Sequence, residues 1–135
     1  IRLSLVGSEM CIRDRLETSL WINAGNGTFN PTSLPIEIQS APVYSILALP
    51  GKSGLPYLVF GGNQSRIKPE LGSQLGSYGW VLQPQADNRW KALKPQESGF
   101  YVPGEIRSIL TLNIENKPNL VVFRNNENPV VFAIR

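Results

Sequence analysis

The chain has 135 residues, with 13 Lys and Arg against 10 Asp and Glu, a formal net charge of +3 and no histidine. That length suits one domain with enough apolar content to bury a core, and its scattered basic residues argue against nucleic-acid binding. The absence of histidine excludes Ser/His and Cys/His catalytic pairs and the usual zinc sites. The content of 12 glycines and 11 prolines favours an all-β chain with many turns.

The first part of the chain is set apart from the fold. Residues 5–14, LVGSEMCIRD, are similar to one reading frame of a transposon-end adapter used to prepare sequencing libraries, so residues 1–15 are treated as adapter-derived. They contain Cys11, the single cysteine, and the remainder therefore offers no thiol nucleophile or thiolate metal site. An adapter there implies that upstream sequence is missing. No apolar run of about twenty residues follows, so no membrane span is expected.

Residues 16–38 are expected to be the end of one structural unit and the crossover to the next. A short strand is predicted to end at Asn23, and Ala24–Gly27 is a turn signal of the Asn-Gly type before Thr28–Phe29. These elements predict a hairpin that belongs to a unit whose first strands are missing.

Residues 39–103 are predicted to form a complete four-stranded antiparallel unit followed by a crossover. Its strands are expected over four apolar stretches, Val43–Leu49, Tyr57–Phe60, Tyr78–Gln83 and Arg89–Leu93. Gly61–Ser77, between the second and third strands, is polar and rich in glycine. Loops of this length inside a compact domain are often functional.

Residues 104–135 predict a last, incomplete unit with strands at Ile106–Leu112, Leu120–Arg124 and Val130–Ala133. Six residues recur at a constant offset of 63: Ile46 as Ile109, Leu47 as Leu110, Leu49 as Leu112, Val59 as Val122, Phe60 as Phe123 and Asn63 as Asn126. A repeat period above fifty with short apolar strands favours a propeller-type array of small sheets. The expected fold is all-β, a partial β-propeller of about two four-stranded antiparallel blades.

Four motifs in this chain resemble one family. They are Trp21–Phe29, Pro69–Gly72 with Ser77–Gly79, Glu97–Arg107, and Asn125–Asn126 before Val130–Phe132. In this order they resemble the C-terminal part of bacterial FG-GAP/VCBS-repeat proteins, the group that includes ASPIC/UnbV-type regions and is related to cartilage acidic protein. The resemblance implies an exported β-propeller of the integrin α-head architecture. It also implies binding or adhesion at the cell surface or outer membrane, without catalysis.

The resemblance further implies a calcium loop between the first two strands of each blade, in which acidic side chains enclose the cation. In the first unit the corresponding positions offer no carboxylate: they are Leu49, Gly51 and Ser53. In the second unit the candidate metal ligands are Thr111, Asn113, Glu115 and Asn119. Neutral amides and a hydroxyl bind Ca²⁺ poorly, so no cofactor is expected in this fragment, and calcium is an expectation for the full-length protein only.

Four aromatic residues near predicted loop ends are candidates for a ligand or partner surface, against the alternative of ordinary packing: Tyr57, Tyr78, Phe100 and Tyr101. Three tryptophans occupy matched positions in the repeat, which favours core packing over a sugar-stacking platform: Trp21, Trp80 and Trp90. The carboxylates are spread along turns, and no pair among them has a spacing that argues for a glycosidase.

Three functions remain open from the sequence. The first is a non-catalytic binding or adhesion scaffold that recognises an unknown protein or glycan at the cell surface through loops such as Gly61–Ser77. The second is the non-catalytic propeller part of a larger carbohydrate-active or other surface enzyme, whose active residues lie upstream. The third is a spacer, which unchanged binding after mutation of Tyr78 and Tyr101 would favour.

Overall fold

The computed structural model describes residues 17–51, 54–68, 70, 72–86 and 89–134. The predicted features outside the described residues are the adapter-like segment, Ser53 of the first calcium loop, Pro69 and Leu71 of one family-like motif, and Asp87 and Asn88 of a turn. In the described part, every paired strand is antiparallel and the strands form three sheets. The predicted all-β class is therefore confirmed.

The three sheets follow one another along the chain. The hairpin sheet contains β1 (Leu20–Asn23) and β2 (Phe29–Thr32). After a 3-10 turn at Ile36–Ser40, the four-stranded sheet contains β3 (Val43–Leu49), β4 (Tyr57–Gly62), β5 (Trp80–Pro84) and β6 (Trp90–Leu93). After the one-turn helix α1 (Pro95–Ser98), the three-stranded sheet contains β7 (Ile106–Ile114), β8 (Lys117–Arg124) and β9 (Glu127–Ala133).

Strand β4 of the four-stranded sheet is covered on both faces, and its successive side chains, which point in opposite directions, enter two different cores. Leu58 and Phe60 pack in a core that also contains Leu20 of the hairpin sheet. Val59, which lies between them, packs in a second core with residues of the three-stranded sheet such as Val122. The continuous apolar run of β4 therefore contributes to two cores, one shared with the hairpin sheet and one shared with the three-stranded sheet.

The three-stranded sheet approaches the four-stranded sheet most closely along its first strand, β7, which lies against β3 and β4. There the Ile109 N–H donates to Ser45 Oγ at 2.9 Å. Gly61 makes this approach sterically feasible, since a Cβ at that position would lie 2.3 Å from Cγ2 of Ile106. Any larger residue at position 61 would push the two sheets apart.

Away from β7 the two sheets diverge. A cleft of about 700 Å³ opens between them, lined on one side by Val81 and Leu93 and on the other by Phe132 and Ile134. The sheets therefore form a wedge that is closed at their first strands.

The four-stranded and three-stranded sheets share a local irregularity in their first strands. The pairing register shifts between Val43 and Ser45 in β3, and it shifts between Ile106 and Ser108 in β7, 63 residues later. A β-bulge at matched positions bends both strands in the same way. The first strands therefore correspond at the offset expected from the sequence.

The second strands correspond at a different offset. Leu49 pairs with Tyr57 in one sheet and Leu112 pairs with Asn119 in the other, so β4 and β8 are 62 residues apart. The constant offset of 63 is therefore wrong for the second strand. The physical reason is that the connection between β7 and β8 is one residue shorter than the connection between β3 and β4.

This single residue decides which side chains are buried. Phe60 corresponds to Val122 and not to Phe123. Phe60 and Val122 are 2% and 0% exposed, whereas Phe123 is 40% exposed. Successive residues of a strand point to opposite faces, so a shift of one residue exchanges the buried and exposed faces. Phe123 follows Val122 and therefore points away from the core.

Alanine substitution of the two phenylalanines tests this assignment. Phe60→Ala is expected to lower the free energy of unfolding by about 3–5 kcal/mol because it leaves a cavity in the core. Phe123→Ala, on a partly exposed face, is expected to lower it by about 1 kcal/mol or less. Urea unfolding of both variants measures the difference, and equal losses would contradict the assignment.

Candidate functional site

The connection between the second and third strands distinguishes the two larger sheets. β8 and β9 are joined by a tight turn at Asn125 and Asn126, whereas β4 and β5 are separated by residues 63–79, here called the long loop. The predicted loop at Gly61–Ser77 is thus found two residues later, because Gly61 and Gly62 belong to β4. Two backbone hydrogen bonds between Gln64 and Gln74, of 2.9 and 2.8 Å, close the neck of the long loop.

Asn63 fixes the base of the long loop. Its buried amide donates to the carbonyl oxygens of Ser77 at 2.5 Å and Gly104 at 2.8 Å, and its Oδ1 accepts the Ser77 N–H at 3.0 Å. The backbone of Asn63 is left-handed, with φ of 82°, a conformation that asparagine tolerates better than most residues. One buried side chain therefore joins both ends of the loop to the crossover that precedes β7.

Glu105 is the second buried polar residue at this base. Its carboxylate accepts hydrogen bonds from the hydroxyl and backbone N–H of Ser65, from Asn125 Nδ2 at 2.8 Å and from Arg107 Nη2 at 2.6 Å. The Ser65 donors, followed by Asn125 and Arg107, lower the pKa of Glu105 to about 2. The carboxylate is therefore ionised at neutral pH and fastens the long loop to β7 and β8.

Arg107 extends this network to the surface. Its guanidinium lies over the ring of Tyr44, with 4.3 Å from Cζ to the ring centroid. The Tyr44 hydroxyl in turn donates to Gln64 Oε1 at 2.5 Å. A cation–π contact of this kind contributes about 0.5–1 kcal/mol at exposed sites. The neck of the long loop is thus tied to the three-stranded sheet through three side chains.

Two tyrosines stack beside this base. The ring centroids of Tyr78 and Tyr101 are 4.7 Å apart with 22° between the ring planes, and the residues are 47% and 52% exposed. The Tyr78 carbonyl accepts the N–H of the buried residue Val102 at 2.8 Å, which links the two segments. Gly79 follows with φ of 76°, and a Cβ there would lie 2.4 Å from Cε1 of Phe100. The pair is therefore exposed and held on a closely packed backbone.

The structure brings together two of the four aromatic residues predicted for a ligand surface, Tyr78 and Tyr101. Phe100 does not fit that prediction, since it is buried and its ring lies 5.2 Å from that of Phe132 in the core. Tyr57 begins β4, at the end opposite to the long loop, and its hydroxyl accepts Gln83 Nε2 at 3.2 Å.

The three tryptophans differ in how they are packed. Trp80 and Trp90 pack in the core between the four-stranded sheet and the hairpin sheet, which confirms the packing interpretation for these two. Trp21 is 49% exposed on the hairpin sheet.

The predicted calcium ligands lie on a tight hairpin. Thr111 and Asn113 belong to β7, and the turn to β8 consists of Glu115 and Asn116, both left-handed with φ of 52° and 60°. Asn119 pairs with the residue between the first two ligands, so it lies on the opposite face of the sheet from them. The structure therefore does not bring the four side chains together on one face.

Sequence reasoning missed Asn63 and Glu105 as the anchors of the long loop. A signal was present for Asn63, because a polar residue recurs at the end of an otherwise apolar second strand in both units. For Glu105 the sequence favours a role in positioning the crossover strand, but it offers no signal of the contact with the long loop, since the partners Ser65 and Asn125 are 40 and 20 residues away along the chain.

No family model, curated protein or solved structure matches this chain. The FG-GAP/VCBS resemblance therefore stays a prediction. Within the residues that the structure describes, no three side chains of Asp, Glu, His or Cys cluster closely enough to hold a metal ion. In the same part of the chain, no helix combines the length and apolar character that a membrane crossing requires.

Replacing Asn63 by glycine tests its role at the loop base. Glycine accepts the left-handed backbone, so the change removes only the side chain, and it deprives the buried Ser77 and the partly buried carbonyl of Gly104 of this partner. We expect the free energy of unfolding to fall by about 1–3 kcal/mol in urea. Asn126→Gly is the matched control, since Asn126 is also left-handed but exposed, and it should change stability by about 0.5 kcal/mol or less. Equal effects would refute the assignment.

The pKa of Glu105 predicts a pH dependence of stability. Because it is lowered from 4.5 to about 2 on folding, the stabilisation is complete above pH 4.5 and is lost as the pH falls toward 2. Glu105→Gln should therefore destabilise the protein at pH 6, and it should lose less further stability between pH 6 and pH 3 than the unmodified protein. Urea midpoints at the two pH values measure this. An equal loss in both proteins would show that Glu105 does not carry the dependence.

Proposed function

We propose that this chain is part of a non-catalytic binding scaffold of the FG-GAP/VCBS type, which recognises a protein or glycan at the bacterial cell surface. The observation that carries the proposal is the stacked, half-exposed pair of Tyr78 and Tyr101 at the base of the long loop. Tyrosine has few rotatable bonds and offers a flat amphipathic surface, so its rings bind partners at low conformational cost. The pair has that character, and its backbone is already fixed.

The architecture proposed for this scaffold is a partial β-propeller. Three features support it: the sheets follow one another along the chain, corresponding faces of the two larger sheets point in the same direction, and these sheets touch at β7 and diverge toward β9. Blades arranged around an axis have this wedge shape, with first strands innermost. Export to the cell surface is supported by the family resemblance alone.

The state of the buried carboxylate argues against its use as a general acid. Glu105 has four hydrogen-bond donors and a pKa of about 2, so it carries no proton at neutral pH and its oxygen atoms are occupied. General acid catalysis needs a group whose pKa lies near the working pH. This carboxylate is a structural anchor.

The double variant Tyr78→Ala/Tyr101→Ala tests the proposed binding surface. A printed array of bacterial and plant glycans, and a blot of bacterial envelope proteins, are probed with the unmodified chain and with the variant. We expect at least about a tenfold loss of binding, equivalent to about 1.4 kcal/mol, because the stacking surface is removed. Tyr57→Ala is the matched control, since it removes a tyrosine at the far end of β4.

The outcomes separate the functional hypotheses. If the double variant loses binding and Tyr57→Ala keeps it, the result supports Tyr78 and Tyr101 as the binding surface. The probe to which the unmodified chain binds then identifies the ligand as glycan or protein. Binding that the double variant retains would move the site elsewhere on the scaffold. No binding of the unmodified chain to either probe would favour a spacer.

A further inference from the structure

The stacked pair of Tyr78 and Tyr101 holds two phenol groups in contact at the surface. Their ring centroids lie 4.7 Å apart, with 22° between the ring planes, and both residues are about half-exposed. Aromatic pairs in proteins usually have centroid distances of about 4.5–7 Å, so this pair is near the close end of that range. Small oxidants can therefore reach two phenols that already touch each other.

The other two tyrosines are placed differently. In the described part of the chain, which includes all four tyrosines, no other two tyrosine rings are in contact. The guanidinium of Arg107 lies over the ring of Tyr44, and a positive charge there opposes the removal of an electron from that ring. Tyr57 lies at the far end of β4 from the long loop. Chemistry that needs two neighbouring phenols is therefore confined to Tyr78 and Tyr101.

The backbone keeps the two rings together. The Tyr78 carbonyl accepts the N–H of Val102 at 2.8 Å, and Gly79 lies so close to Phe100 that a Cβ at position 79 would be 2.4 Å from its Cε1. Reacting groups held in a favourable orientation can reach effective concentrations of about 10⁵–10⁸ M. A radical formed on one of these rings therefore meets the other ring long before it meets a second chain.

We propose that Tyr78 and Tyr101 are a site of oxidative cross-linking, where an oxidant of the haem peroxidase class joins the two rings as dityrosine. Each phenol loses one electron and one proton. A carbon–carbon bond then forms between the ring carbons next to the two hydroxyls, and the hydrogen on each of these carbons moves to the phenol oxygen. Hydrogen peroxide takes up the two electrons and two protons and is reduced to two water molecules. The inference does not depend on the ligand proposed above.

The bond fastens two segments that are distant in sequence. It closes a loop that contains β5, β6 and α1. The rings must rotate from a stacked to an edge-to-edge arrangement, and their half-exposed position leaves room for this. A covalent link that closes a loop restricts the unfolded chain more than the folded one. The cross-link therefore secures the start of β5 to the crossover that precedes β7.

Peptide mapping identifies the rings that couple. Each of the four tyrosines lies in a different tryptic peptide, with Tyr78 in residues 67–89 and Tyr101 in residues 92–107. The chain, with Cys11 alkylated, is treated at micromolar concentration with a haem peroxidase and hydrogen peroxide, and the monomer is isolated by size-exclusion chromatography. We expect dityrosine fluorescence in the monomer. We also expect a cross-linked product of these two peptides whose mass is their sum less two hydrogen atoms.

Phenylalanine variants separate the chemistry from the packing. Tyr78→Phe and Tyr101→Phe each keep the ring and remove one phenol, so each should lose both the monomer fluorescence and the cross-linked peptide. Tyr57→Phe is the matched control and should keep both, because Tyr57 is at the opposite end of β4. Circular dichroism establishes that the variants are folded.

Three results would overturn the proposal. The first is monomer dityrosine that persists in Tyr78→Phe or that joins other peptides. The second is dityrosine found only in dimers, with a yield that rises with protein concentration, since this is coupling between chains. The third is no dityrosine in the unmodified chain while free tyrosine couples in a parallel reaction.

Discussion

The close contact of β7 with β3 and β4 is the constraint on which the rest of the structure depends. Gly61 leaves the space into which Ile106 packs, and Ile109 and Val122 complete the core beside it. Apolar burial contributes about 25 cal/mol per Å² only where surfaces meet. The two sheets are therefore joined at their first strands and separate toward their last ones. The long loop starts at this contact and the crossover before β7 ends there, so the contact fixes their positions too.

The buried polar residues at the edge of this core hold the surface segments beside it in fixed positions. Asn63 and Glu105 have their hydrogen-bonding groups satisfied by segments far apart in the chain. A fully satisfied buried network rigidifies its surroundings, whereas a partly satisfied one destabilises them. The backbone that carries Tyr78 and Tyr101 lies directly beside these anchors. A pair of exposed rings can therefore stay ordered without a partner.

The strands were predictable from the sequence because their signals are local. Val43–Leu49 is an apolar run rich in residues that favour strands, and Asn26–Gly27 marks a turn. The faces were not predictable, because one residue fewer between β7 and β8 reverses which side of the second strand is buried. Phe100 was misassigned for a related reason, since its neighbour Tyr101 is exposed and only the tertiary packing decides which of the two enters the core. The anchors of the loop depend on contacts that span tens of residues.

The neck formed by Gln64 and Gln74 has a consequence for how such a protein can evolve. Its two backbone hydrogen bonds hold the ends of the long loop together close to the sheet. Lengthening a loop whose ends are already held changes the closure free energy slowly, by about 0.6 kcal/mol for each doubling of length. Apart from Ser65, which donates to Glu105, the segment between the two glutamines is therefore free to diversify while the strands beneath it keep their sequence. New binding specificities can arise there without any change to the core.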